Sequence, residues 1–124
     1  MGIAWIDQDV FRDLLIAKHG FILRNEGLLH SALDRPRNCW VYSNPSPTLF
    51  DLAAAYAFGI TQNHPFVDGN KRASFLATSL FLEGNGWTIK ADDDTKIRVF
   101  LAIARKEISE NEFADWIKRN SKAI

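Results

Sequence analysis

Two apolar segments separated by a short polar string limit the architectures open to this 124-residue chain. The first, from Thr48 to Gln62, carries Ala53-Ala54-Ala55 and Ala57, side chains small enough for helices to approach closely. The second runs from about Gly69 to Glu83. Its Phe75, Leu76, Ser79, Leu80 and Leu82 leave it apolar on nearly every side, the pattern of a central, buried helix. Thr48 with Asp51 three residues on forms a capping box, with Asp in the usual Glu position. Pro65 disfavours helical geometry in the residue ahead of it, so the first of these helices has to stop there.

The rest of the chain supplies further helices. Asp7 caps one over about residues 7–19, in which Val10, Phe11, Leu14, Leu15 and Ile16 form an apolar face that Gly20 ends. A short helix covers Glu26–Asp34, with Leu28, Leu29, Ala32 and Leu33 inward, and Pro36 is expected to stop it. Residues 36–47 hold three prolines, two asparagines, Trp40 and Tyr42, which reads as a loop or small extended flap. Gly84-Asn85-Gly86 ends the central helix, and Trp87–Lys90 reads as extended. Asp92, Asp93 and Asp94 place negative charge at the start of a helix reaching about Arg105. Ser109 and Glu112 form a second capping box, opening a last helix through Arg119 with Phe113, Trp116 and Ile117 inward. The expected fold is all-α: one compact helical bundle over residues 1–124, with the polar string as a loop between two central helices.

Composition narrows the function classes. Hydrophobic residues make up 47% and charged residues 24%, the balance of a soluble globular protein. Fifteen basic residues offset fifteen acidic ones, which argues against general nucleic-acid binding while allowing a local basic pocket. Cys39, the single cysteine, cannot close an internal disulfide and points to a reducing compartment. No signal-peptide pattern is evident and no apolar run reaches the roughly 20 residues that span a bilayer. The expected location is cytoplasmic, away from membranes.

Chemistry enters with His64-Pro65-Phe66-Val67-Asp68-Gly69-Asn70-Lys71-Arg72. Polar density between apolar helices is costly unless it binds something. Gly69 and Asn70 fall where the second helix starts, so backbone N–H groups of its first turn are available to an anion, and glycine permits close approach. Lys71 would add a point charge, and Arg72 a bidentate partner for phosphate oxygens. Asp68 is a hard oxygen ligand of the kind Mg²⁺ takes beside phosphate-bearing substrates. His64 can take a proton near neutral pH and so activate a hydroxyl, and Phe66 would anchor the loop between the helices. Each residue also has a plain structural reading: His64 as a satisfied histidine, Asp68 as an N-cap, and Asn70, Lys71 and Arg72 as a solvated first turn.

Taken as a string, His-Pro-Phe-x-Asp-Gly-Asn-Lys-Arg resembles the motif of the Fic/Doc proteins, and within them the death-on-curing (Doc) branch. The resemblance extends over Glu26-Gly27-Leu28-Leu29, Ala32-Leu33 with Arg35-Pro36, Leu52–Gly59, Phe81-Leu82-Glu83 with Asn85-Gly86, and Ile108-Ser109 through Phe113. It implies a Fic/Doc bundle and transfer from ATP, with Mg²⁺, to a protein hydroxyl. Members that transfer AMP have glycine where this chain has Lys71, and a second arginine where it has Phe75; both departures are shared with Doc toxins. For those, the resemblance implies transfer of the terminal phosphate to a threonine of elongation factor Tu, arresting translation, and a partner antitoxin of the Phd type.

By that resemblance His64 is the general base, Asp68 a metal or substrate-orienting carboxylate, and Gly69, Asn70, Lys71 and Arg72 the phosphate-binding groups. Trp5, Phe11, Trp40, Tyr42 and Trp116 are the candidates for an antitoxin-binding surface, where a partner helix would lie in a groove. Ser79 to Glu83-Gly84 fits the Ser/Thr-x-x-x-Glu-Gly pattern of an inhibitory helix, but lies inside the helix after the loop and reads as chance. Three rivals stand beside this reading. One is AMP transfer by the same fold, and another is a non-catalytic binding module. The third is a metal hydrolase built on His64, Asp68 and His19 or His30, which no spacing supports.

Overall fold

In the computed structural model, which describes residues 2–124, six α-helices carry the architecture. Helix α1 (Gln8–Asp13) starts where the Asp7 carboxylate accepts the Val10 N–H at 3.0 Å, and runs on into a π-helical turn at Leu14–Lys18. Only Phe11 and Leu15 of this stretch are buried.

Helix α2 spans Glu26–Tyr42, capped by Asn25 on the Leu28 N–H at 2.9 Å. This corrects two expectations at once: Pro36 does not stop the helix, and residues 36–42 are helical rather than a flap. Proline cannot return an N–H to the carbonyl four residues back, here Ala32, and that loss normally breaks a helix. In this chain tertiary contacts outweigh it. Leu33 and Pro36 are buried, and between them Arg35 holds Glu110 of helix α6 (Glu110–Arg119) through two bonds of 2.9 and 2.6 Å. Arg35 also donates to the Ala55 carbonyl at 3.2 Å. Glu110 holds the guanidinium above its usual pKa, against the opposing effect of burial.

Helix α3 (Leu49–Asn63) is the axis of the fold, and every residue from Leu52 to Ile60 is buried. It packs against α2, α6 and helix α4 (Asn70–Gly84). Its alanines and Gly59 admit the close approach: a Cβ at Gly59 would lie 3.0 Å from the Ala32 carbonyl oxygen, the acceptor that Pro36 leaves without its N–H. Helix α5 (Asp93–Ala104) lies against α4 and α3, its N-cap Asp92 bound to the Thr95 N–H at 2.8 Å. Beyond α4, strand β1 (Trp87–Ile89) is extended as expected and pairs antiparallel with β2 (Ser121–Ala123), a strand that the sequence did not announce. No helix among the described residues is long and apolar enough to cross a membrane.

Gly59→Val should destabilise the protein by about 1–3 kcal/mol, the usual cost of overpacking, read as a lower urea midpoint. A second prediction concerns Glu112, whose carboxyl is held below the usual range by the backbone N–H and then the hydroxyl of Ser109. A carboxyl with a depressed folded-state pKa stabilises the fold fully above its unfolded value of about 4.3, and this is lost as pH falls through the folded value. Melting curves of Glu112→Gln should therefore lie below wild type at neutral pH and converge with it under acid.

Candidate active site

The polar string forms a loop between α3 and α4, and the chain segment 22–25 holds it in place. Arg24 and Asn25 donate backbone N–H groups to the Pro65 carbonyl at 2.7 and 3.1 Å, and Val67 donates to Ile22 at 2.9 Å. Leu23 and Phe66 thus pair as an antiparallel bridge. The Arg24 side chain reaches the end of α3, donating to the carbonyls of His64 at 2.8 Å and Asn63 at 3.1 Å. These are orphan acceptors at a helix C-terminus, where a cation is favoured. His64 has φ 53°, the left-handed conformation, which disfavours a residue with a Cβ by roughly 1–2 kcal/mol.

Phe66 is fully buried and meets Phe21 edge-on at 5.3 Å. Phe21 also lies under Gly69, where a Cβ would come within 2.8 Å of its ring, and Gly69 has φ +83°. Space and backbone conformation both demand glycine at the start of α4.

Asn70 organises the loop. It is buried, and its Oδ1 accepts the Phe66 N–H at 3.0 Å while its Nδ2 donates to the Phe66 carbonyl at 2.9 Å. Those two bonds fix which end of the amide is which. The same Nδ2 lies 3.1 Å from Nδ1 of His64. An amide nitrogen only donates, so Nδ1 is an acceptor and the neutral imidazole carries its proton on Nε2. The side chain of Asn70 is thereby committed to the loop and to His64. Its backbone N–H, which α-helical geometry leaves without a partner inside the helix, is the group it could still offer an anion.

Asp68 is exposed, and its Oδ1 accepts the Gly69 N–H at 2.8 Å. It is not the N-cap of α4, which is Gly69, and it occupies the N–H that Gly69 was expected to offer an anion. As a single carboxylate it fits a Mg²⁺ that arrives with its phosphates, since such an ion takes one or two carboxylates and completes its shell from substrate and water. Among the described residues no group of three or more acidic, His or Cys side chains could hold a metal alone.

Lys71 and Arg72 are exposed on the first turn of α4. Arg72 lies over the Phe21 ring at 5.8 Å from its centroid and 3.5 Å from Nδ1 of His19. His19, Phe21 and Arg24 are therefore part of the site, and no spacing in the sequence pointed to them. His30 lies elsewhere, 2.6 Å from Gln8 and 3.6 Å from Glu26. Of the aromatic residues expected at a partner surface, Trp40 and Tyr42 are exposed. Phe11 is corrected to core, Trp5 packs on Phe81 at 6.0 Å, and Trp116 stacks on Phe113 at 6.2 Å.

The tautomer is directly measurable. Nitrogen-15 spectra of histidine-labelled protein above the imidazole pKa should show His64 protonated at Nε2 and bare at Nδ1, and Asn70→Ala should let the two tautomers mix.

Comparison with known proteins places the sequence that forms this loop in a family. The toxin Doc of Mycolicibacterium smegmatis is 40% identical over 72 residues, covering 58% of this chain. The alignment spans 55% of that protein, about half its length. The profile of the Fic/DOC family matches residues 4–82, from the segment before α1 through the loop and nearly all of α4. Because that match takes in more than half of the sequence and every residue of the loop just described, the chain belongs to the Fic/DOC family.

Proposed function

We propose that the chain is a toxin of a toxin–antitoxin system, a phosphotransferase that moves the terminal phosphate of ATP to a protein hydroxyl. The observation that supports this most is the convergence at the α4 N-terminus. An imidazole positioned by Asn70, a carboxylate at Asp68, and the cations Lys71 and Arg72 meet within one short loop. Phosphoryl transfer asks little covalent work of a protein and is driven by positioning and charge stabilisation. The substrate hydroxyl oxygen attacks the terminal phosphorus, the bond to the bridging oxygen breaks, ADP leaves, and the hydroxyl proton passes to His64. Proton uptake at Nε2 uses the tautomer in which that nitrogen is bare, so the Asn70 contact has to yield as substrate enters. Mg²⁺ would be held by Asp68 together with phosphate oxygens, where it would neutralise developing charge. Lys71 and Arg72 would bind the transferred group, with the first-turn N–H groups behind them.

The reading extends to the target and partner that the Doc likeness implies. The acceptor would be a threonine of elongation factor Tu, its modification would stop translation in the cytoplasm, and a Phd-type antitoxin would restrain the enzyme. Trp40 and Tyr42, exposed at the end of α2, are the aromatic residues free to meet that antitoxin. The alternative of AMP transfer is disfavoured by Lys71 and by Phe75, which stands where a second arginine would hold the remaining phosphates. A non-catalytic module would have no use for an imidazole, a carboxylate and two cations gathered at one helix start.

Intact-mass analysis of elongation factor Tu, incubated with the protein, ATP and Mg²⁺, tests the reading. One added phosphate, lost with His64→Ala, is the expected result. Added AMP would replace phosphotransfer by nucleotide transfer, and an unmodified target would overturn elongation factor Tu as the acceptor.

A further inference from the structure

A cavity of about 350 Å³ lies between the segment that leads into α1 and the middle of α2, and it shares no residue with the loop at 64–72. Trp5 and Arg37 line its sides, buried Tyr56 of α3 its floor, and exposed Asp7 and Asp9 its rim. We propose that this cavity binds a zwitterionic ligand of the amino-acid class, its carboxylate held by Arg37 and Tyr56 and its ammonium by Asp7 and Asp9.

Two unpaired donors carry the carboxylate half. Tyr56 is 1% exposed, and its hydroxyl oxygen accepts the Ile6 N–H at 3.2 Å. The proton of that hydroxyl has no acceptor among the described residues. Burial holds the phenol above its usual pKa, so the proton stays on the oxygen at neutral pH. A buried donor without an acceptor is costly, and an acceptor entering the cavity removes that cost. The second donor is Arg37, whose guanidinium lies over the Trp5 ring at 5.3 Å from its centroid. It makes no ion pair with any carboxylate among the described residues. A planar cation braced on an indole face keeps its N–H edge ready for a carboxylate, which it can bind through two parallel bonds. Gln8 does not compete for that role. It is committed to α2, donating to Asp34 at 2.5 Å and meeting Nδ1 of His30 at 2.6 Å.

The ammonium half follows from charge. Asp7 and Asp9 set two negative charges at the rim against the single positive charge of Arg37. Asp7 uses only its Oδ1 to cap α1, and Asp9 lies 3.8 Å from Arg12, a loose pair. A dianion entering here meets two carboxylates, and a simple amine leaves Arg37 and Tyr56 unanswered. A ligand with both charges a few bonds apart satisfies both ends. Buried Leu33 and the Trp5 ring add an apolar surface for its side chain. The volume falls at the low end of small-ligand pockets, about 300–1,000 Å³, which suits an amino acid better than a nucleotide.

Nuclear magnetic resonance titration of the full chain with free L-amino acids, one at a time, tests the site through the Trp5 indole N–H. At least one, with an apolar side chain, should move that signal saturably. Its analogue without the amino group and its analogue without the carboxylate should each bind at least tenfold more weakly, the scale of one lost charge-assisted contact. Arg37→Gln, at an exposed position, should weaken binding at least tenfold. Tyr56→Phe should weaken it several-fold, with circular dichroism confirming that it folds. Silence of the Trp5 signal towards every amino acid would overturn the site. An analogue lacking one charge that binds as tightly as its parent would overturn the amino-acid class. Affinity untouched by both substitutions would overturn this cavity as the location.

Discussion

The hydrogen bonds of one buried amide hold the loop between α3 and α4 together. Asn70 accepts from the backbone of Phe66 and donates back to it, turning residues 66–70 into a closed ring at the head of α4. Every candidate site residue hangs from that ring. It sets the register at which α4 begins, so that Lys71 and Arg72 fall on the first turn. It presses Phe66 into the core against Phe21, and its remaining donor fixes the tautomer of His64. A buried polar group is favourable only when its bonds are made, and here three are made by one side chain. The amide therefore stabilises the loop and sets the resting state of its imidazole through the same contacts.

The scaffold beneath the loop obeys a different constraint, which is distance of approach. Helix α3 can be surrounded by α2, α4 and α6 because its flanks are alanines and Gly59 rather than branched side chains. The tightest point, Gly59 against the Ala32 carbonyl, coincides with the gap that Pro36 makes in the bonding of α2. Buried on both sides, α3 presents its C-terminal end in a fixed position, and the loop inherits that position.

Much of this was legible in the sequence because its signals are local. The capping boxes at Thr48–Asp51 and Ser109–Glu112, the cap at Asp7 and the Gly84-Asn85-Gly86 end of α4 each act within a few residues, and each ends or begins a helix within a residue of where expected. The loop stood out as a candidate site because its polar residues are contiguous. What could not be read depends on contacts between distant parts of the chain. Pro36 is a strong local stop, overridden by the Arg35–Glu110 pair, whose members are 75 residues apart. Arg24 meets His64 across 40 residues and His19 meets Arg72 across 53, so neither announces itself by spacing. Asn70 looked like a phosphate ligand because its type suits that role. Only the direction of its amide, set by Phe66, assigns it to the loop.

The left-handed backbone at His64 has an evolutionary consequence. A glycine or asparagine at that position would sit more comfortably in the same conformation, so a histidine there costs the fold stability. Selection for stability alone would drift away from it, because the most tolerated replacements there are ones that cannot exchange a proton. If His64 is the proton acceptor proposed above, a lineage released from the need to act would lose this residue early and keep the bundle, so inactive descendants should still fold well.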